Sequence, residues 1–351
     1  MMDTGPAPLL EVEDLRVEFA THGGIVQAVR GVSFSVDSGR TLAIVGESGS
    51  GKSVAVQSMA GVVAMPPGRI TGGAARLRGQ AILGRRSIDG RTICGNEIGM
   101  IFQDPMSSMN PTMTVGRQIA EPLEIHRGYS REQAMREAIR LLELTRIPEA
   151  ASRARQYPFQ FSGGMLQRAM IAMAIACKPA VLVADEPTTA LDVTIQAQIL
   201  DLLQSVQRET GMAIVLITHD LGVVARMADD VAVMYAGEVA EAGSVEDVFY
   251  RSAHPYTLGL KQAMPRNRSE ATQDLQPIEG SPPDLFAPPD GCAYCDRCPH
   301  AMQVCRTRNP GRFSIGERHY ARCWLHHQDH PRPVEGLYRA GAEAESGEAP
   351  V

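Results

Sequence analysis

Apolar positions follow two recurring patterns along this chain. Thr41 to Val45, Val181 to Ala184, Ile214 to Ile217 and Val231 to Met234 are apolar at consecutive positions and rich in β-branched residues, as strands buried on both faces are. Between such runs apolar residues recur at helical spacing. Leu191, Ile195, Ile199, Leu202, Leu203 and Val206 form one stripe, closed by Gly211, which tolerates the positive φ of a helix end. Strands alternating with helices predict a parallel-rich α/β core. From Gln103 to Lys178 the strand pattern lapses, and Ser130 with Gln133 has capping-box spacing ahead of Ala134, Ala138, Leu141 and Leu142. An inserted helical subdomain is expected at about 104–178. Tyr235-Ala236-Gly237-Glu238, between alternating runs from Val231 to Ala242, predicts a hairpin.

Past His254 the pattern changes. Pro277, Pro282, Pro283, Pro288 and Pro289 leave little room for long helices, so the first domain is expected to span 9–253 and a small loop-rich second domain 254–334. Residues 1–8 are expected to be flexible. The Gly-, Ala- and Glu-rich residues 335–351 lack the apolar content to offset ordering entropy and are expected to be disordered.

Composition narrows the class. At 351 residues, 44% hydrophobic and 21% charged, the chain is larger than a usual single domain and has a soluble, globular make-up. The longest apolar stretch, Ala169 to Cys177, is about half of the roughly 20 residues that a membrane-spanning helix needs. The N-terminus, with Asp3, Glu11, Glu13 and Asp14, does not resemble a secretory signal, so a cytoplasmic location is expected. A net charge of -6 gives no general attraction to nucleic acid. Five of the seven cysteines lie between Cys292 and Cys323, a density that points to a local metal site.

Two motifs carry chemistry. GESGSGKS, Gly46 to Ser53, follows the strand Thr41–Val45 and precedes a helical run, the context of a phosphate-binding loop. Glycines 46, 49 and 51 let the backbone N–H groups of Glu47, Ser48, Ser50 and their neighbours turn toward phosphate, the helix from Lys52 through Val54 adds its dipole, and Lys52 reaches the β- and γ-phosphates. The Ser53 hydroxyl is placed to ligate Mg²⁺. AVLVADEP, Ala180 to Pro187, is an apolar strand ending in two acids: Asp185 to hold Mg²⁺ and Glu186 to polarise an attacking water. Alone, two such acids are as readily a solvated strand end; after a phosphate loop they are a catalytic pair.

QFSGGMLQR, Gln160 to Arg168, resembles the signature sequence of ABC ATPases, with Phe161 where Leu is usual. The resemblance implies the ABC-type P-loop NTPase fold: a parallel-rich core sheet, an antiparallel β subdomain and the inserted helices. It implies that Gln103 is the Q-loop glutamine, near Mg²⁺ and the reacting phosphate, that Asp192 belongs to the D-loop and that His219 is the switch histidine. Phe19 aligns with the aromatic that stacks on adenine, with core packing as the rival reading. Ser162, Gly163 and Gly164, with Gln167 on the same helix, would serve nucleotide held by a partner ATPase, so hydrolysis is expected to be split across two chains.

IFQDPMSSMNP (Ile101 to Pro111), GGMLQRAMIAMAIA (Gly163 to Ala176) and HPYT (His254 to Thr257) narrow the resemblance to ATPase subunits of peptide and nickel ABC importers. This implies a second ATPase, usually a different chain, two membrane permease subunits, an extracytoplasmic solute-binding protein, and a peripheral position on the cytoplasmic face of the inner membrane. Peptides are the leading cargo, with nickel, glutathione or another small solute as alternatives. A soluble ABC ATPase acting on nucleic acid or ribosomes is the reading from another class; one phosphate loop and the acidic charge speak against it.

The cysteines allow two readings. Local spacing groups Cys292, Cys295 and Cys298, and thiolates so spaced suit zinc or an iron–sulfur cluster. The importer resemblance instead selects Cys292, Cys298, Cys305 and Cys323 as ligands of a [4Fe-4S] cluster, with Cys295 an extra thiol. Changing Cys305 to Ser is expected to loosen the C-terminal domain and leave ATP affinity intact.

Overall fold

The computed structural model of the chain describes residues 7–84, 87–88, 91–189, 191–263, 277–329 and 334–338. The parts of 1–8 and 335–351 expected to be unstructured fall largely outside these residues.

The N-terminal half opens with long antiparallel strands, β1 (Leu10–Thr21) and β2 (Gly24–Val36), followed by β3 (Thr41–Val45), α1 (Lys52–Met59) and β4 (Gly68–Leu77). Short strands β5 (Gln80–Ala81), β6 (Ser87–Ile88) and β7 (Arg91–Thr92) lead to β8 (Ile98–Ile101). Helices α2 (Pro105–Ser108), α3 (Val115–Arg127), α4 (Arg131–Leu144), α5 (Ala150–Arg153) and α6 (Gly163–Ile175) then fill the interval where the strand pattern lapsed. The chain returns through β9 (Val181–Asp185), α7 (Val193–Thr210), β10 (Ala213–Ile217), α8 (Leu221–Met227), β11 (Asp230–Tyr235) and β12 (Glu238–Ser244). Helices α9 (Val245–Tyr250), α10 (Pro255–Gln262) and α11 (Gln303–Thr307) and strands β13 (Phe313–Ser314) and β14 (Tyr320–Ala321) complete it.

An eight-stranded sheet in the order β13-β14-β12-β11-β3-β10-β9-β8 carries the site. Its middle, β11-β3-β10-β9-β8, is parallel, and β3, β9 and β10 are buried at every position. Each buried Val, Leu or Ile there stabilises by about 1.5–3 kcal/mol, so the strand ends that bear the motifs hang from a rigid frame. The order β2-β1-β4-β5 forms the antiparallel β subdomain.

Local signals settle the ends of these elements. The Asp192 side chain caps α7 by accepting from Ile195 N, and Gly211 ends it at φ 71. Ser130 and Gln133 form the reciprocal capping box of α4. The hairpin turns at Ala236 and Gly237, both with positive φ.

The C-terminal segment is not set apart from this frame. β14 pairs with β12, the outer strand of the hairpin, and β13 pairs with β14, so the core sheet continues into the region expected to stand alone. Cys292, Ala293 and Cys298 pack beside Tyr235, Tyr256 and Tyr294 in one apolar cluster.

Candidate functional site

The phosphate loop is drawn tight between β3 and α1. A Cβ on Gly46 would come within 2.1 Å of Met234 O, and one on Gly51 within 2.3 Å of Ala28 O; no other residue fits either place. Lys52 is buried, and its Nζ donates to Gly46 O and Glu47 O, both at 2.9 Å, folding the cation back over its own loop. Burial lowers its pKa, opposed by the charges of Glu186, Asp185 and Glu47. The tip residues Ser48 and Gly49 are exposed.

Ser53 lies opposite Asp185 and donates to its Oδ1 at 3.0 Å, while Gln57 Nε2 donates to Oδ2 at 3.3 Å. Asp185 is buried, and burial raises its pKa against the Ser53 hydrogen bond. A buried carboxylate facing a hydroxyl on a phosphate loop is a donor set that suits a hard divalent cation, whose charge would hold the acid ionised. Ser53 and Asp185 would therefore hold Mg²⁺.

One position on, Glu186 is at the centre of a hydrogen-bond fan. Gln103 Nε2 donates to Oε2 at 2.8 Å, Thr189 Oγ1 donates to Oε2 at 3.0 Å, and His219 Nδ1 lies 3.2 Å from Oε1. Burial pushes this carboxyl up, but the bonds from His219 and Thr189 and the charges of His219 and Lys52 outweigh it, so its pKa is lowered. The two adjacent acids thus shift in opposite directions because their surroundings differ: burial governs Asp185, and hydrogen bonds with nearby positive charge govern Glu186. Glu186 also sits in the left-handed region at φ 48, a strain of order 1–3 kcal/mol typical of functional positions. Gln103 thus meets Glu186 here rather than the Ser53–Asp185 pair.

The remaining predicted residues divide. Ser162, exposed, caps α6 with Met165 N donating to its Oγ at 3.4 Å, and Gly163 follows it at the surface. Gly164 opens the same turn against Ile195. Asp192, exposed, begins α7. Gln167 is 3% exposed and donates to Pro187 O at 2.7 Å; it is a strut between α6 and the carboxylate segment, not a group open to nucleotide. Phe19 is half-buried on β1, against Gly68 and the apolar core.

Sequence reasoning missed the residues behind the loop. Glu47 N donates to the Tyr256 hydroxyl at 2.9 Å, and Arg297 grips the Glu47 carboxylate through both Nη atoms at 2.7 and 3.0 Å. Tyr256 lay in the HPYT motif and Arg297 among the cysteines, but nothing in their spacing points at residue 47.

The cysteines approach one another without forming a ligand shell: among the described residues no group of three or more His, Cys, Asp or Glu is arranged to hold a metal. They are nonetheless electrostatic neighbours. Burial chiefly, with Cys305 and Cys295 adding, pushes Cys292 up to about 12 and Cys298 up to about 11. Cys323 is raised by burial and by Cys298, Cys292 and Cys305.

Comparison with known proteins decides the family. The ABC transporter model matches residues 29–189, and the model for the C-terminal region of oligopeptide/dipeptide transporters matches residues 240–305. The oligopeptide transport ATP-binding protein OppD of Bacillus subtilis is 51% identical over 324 residues, covering 92% of this chain and 90% of that protein. The chain belongs to the ABC ATPases of the oligopeptide and dipeptide transporters. The dipeptide transport ATP-binding protein DppD of the same organism is 51% identical, covering 91% of this chain and 95% of its own. OppD of Salmonella typhimurium is 52% identical over 302 residues, covering 86% and 89%. Among solved structures, a dimeric bacterial ABC transporter cassette is similar with a TM-score of 0.59 and 28% identity, covering 67% of this chain and 98% of that one. The related cassette in a post-hydrolysis state bound to ADP and Pi has a TM-score of 0.58, 27% identity and coverage of 67% and 98%. As a member of this family the chain is an ABC-type ATPase.

Proposed function

We propose that this chain powers import of peptides, hydrolysing ATP in a dimer of ATPase subunits attached to two membrane permease subunits, with an extracytoplasmic solute-binding protein delivering the cargo. The observation that carries the reading is the divided carboxylate pair, Asp185 on Ser53 and Glu186 under Gln103, Thr189 and His219, in a chain about half identical to named oligopeptide and dipeptide transport proteins. ATP with Mg²⁺ supplies the phosphoryl group and the cation that neutralises it. Lys52 and the loop N–H groups orient the phosphates, Ser53 and Asp185 hold the cation, and Glu186 takes the proton of the attacking water, with Gln103 and His219 fixing its carboxylate.

The second ATPase subunit follows from exposure. Ser162 and Gly163 open α6 at the surface and their donors serve nothing else in this chain's own site, while the similar solved cassettes are dimeric. A different chain as partner, a peripheral position at the inner membrane and an adenine-stacking role for Phe19 belong to the same proposal. No helix among the described residues is long and apolar enough to cross a membrane, so the pore is assigned to other subunits. The four thiols Cys292, Cys298, Cys305 and Cys323 are proposed as the [4Fe-4S] ligands on the importer resemblance of their spacing alone, since no ligand shell is formed among the described residues.

The test is ATP turnover of the chain copurified with its membrane and ATPase partners, with and without candidate peptides and solute-binding protein. Stimulation by peptide that disappears in Glu186→Gln is the expected result. Turnover indifferent to peptide and to membrane partners points to a soluble ATPase instead.

A further inference from the structure

The phosphate loop carries an acid at an awkward place. Glu47 is the second residue of a loop whose backbone must accept a polyanion, and its carbonyl already holds Lys52 Nζ. An uncompensated carboxylate there would repel the phosphates that the loop exists to bind. Its counter-charge comes from 250 positions away.

Arg297 lies between Cys295 and Cys298, and its side chain is only 6% exposed. A guanidinium has five N–H donors in a fixed fork, and here all five have acceptors. Nη1 and Nη2 take the two oxygens of Glu47, Nη1 also reaches the Tyr235 hydroxyl at 3.3 Å, Nη2 reaches Ile278 O at 3.2 Å, and Nε reaches Glu279 O at 2.9 Å. Its Cζ lies 5.7 Å from the centroid of the Tyr235 ring. Tyr256 accepts from Glu47 N beside it. Side chain, N–H and carbonyl of Glu47 are thus each held by a different residue, and the side-chain contact is supplied wholly by the cysteine-bearing segment.

We propose that Arg297 is a positioning residue of the ATP site, which neutralises Glu47 and thereby makes docking of the segment 292–298 and binding of ATP reinforce each other. Linkage is reciprocal: what the docked segment adds to ATP affinity, bound ATP returns as closure of the segment. A change that frees Arg297 leaves an uncompensated carboxylate on the phosphate loop, so loosening of the C-terminal region by a change at Cys305 is expected to weaken ATP binding as well. The inference rests on the ATP-site reading and is independent of the cargo.

The full-length chain is assayed in the complex it copurifies with. Arg297→Ala is expected to raise KM for ATP about tenfold, within the range typical of coupled sites, with kcat within about twofold. The double variant Glu47→Gln/Arg297→Ala, which removes both charges, is expected to recover most of that loss. Asn309→Ala removes a tie of the C-terminal region that lies outside 292–298, the Asn309–Glu238 bond at 2.8 Å, and is expected to leave KM unchanged. Amide exchange of 292–298 in the unaltered protein is expected to slow about tenfold with Mg·ATP. An unchanged KM in Arg297→Ala, a double variant no better than the single, or exchange indifferent to nucleotide each overturns the proposal. If the unaltered complex turns over no ATP, the ATPase reading itself has failed.

Discussion

Residues 41–53 and residues 277–329 lie against each other but are held by different forces. The first group hangs from β3, bonded to a parallel strand on each side and buried throughout, so its shape is secured by apolar area and backbone ladders. The second contains only the two-residue strands β13 and β14, the five-residue α11 and single turns, and beside a smaller apolar cluster around Tyr294 it depends on polar side chains that reach back to the core. Arg297 on Glu47, Asn309 on Glu238, and His319 on Glu241 are such ties. An apolar frame yields gradually to substitution, whereas a polar tie fails at one residue, because the partner left behind is a buried charge.

The largest expected effect lies in the framed region and concerns chemistry alone. Glu186→Gln should lower ATP turnover by roughly 10²–10⁴ with nucleotide binding and melting temperature retained; a large fall in stability instead would mean that the fan around Glu186 is scaffolding. In the tied region the order reverses. Glu241 is fully buried and accepts from Ala253 N, His254 N and the His319 ring. Glu241→Ala should cost about 3–5 kcal/mol, seen as early protease cleavage in 277–329 together with a raised KM for ATP, while the core around β3 still melts cooperatively. Simultaneous unfolding of both regions would erase the contrast.

A smaller effect comes with acid. His254 is buried, its Nδ1 accepting from Tyr256 N, and burial, with His326 adding, lowers its pKa from 6.5 to about 3. The folded state keeps the ring neutral while the unfolded chain takes up a proton below about 6.5, so stability is intact above that pH. It is lost as pH falls toward 3, at up to about 1.4 kcal/mol per pH unit. His254→Asn, which retains a cap acceptor without a titrating ring, should flatten the acid limb of a urea-midpoint curve measured against pH. The smallest effect is Ser130→Ala, which removes the α4 capping box for about 1 kcal/mol and should leave KM for ATP unchanged; a shift in KM would show the helical subdomain speaking to the site through its far helix.

The same division explains what could be read from the chain. The phosphate loop, the strand-end acids and the Gly211 end of α7 were legible because each is written within a few consecutive residues. The fan around Glu186 was legible as a set of residues but not as geometry, which sets Gln103 on Glu186 and turns Gln167 to Pro187 O. Exposure of a helical side chain depends on what packs over it, and here Pro187 does. β13 and β14 are too short to carry an alternating period, which is why the C-terminal segment read as separate. The Arg297–Glu47 contact joins positions 47 and 297, and no local pattern encodes it.

The pairing of β14 with β12 has one more consequence. A chain ending after β12 would present a seven-residue strand with one row of unpaired amides and carbonyls, a template for sheet growth between molecules. The two-residue β13 and β14, following Pro310 and Gly311, leave a rim too short to recruit another strand. The C-terminal segment thus also covers Glu241 and Ala242 on that edge, and an ATPase core prepared without it is expected to form more β-rich oligomers, visible by light scattering, even where it still binds nucleotide.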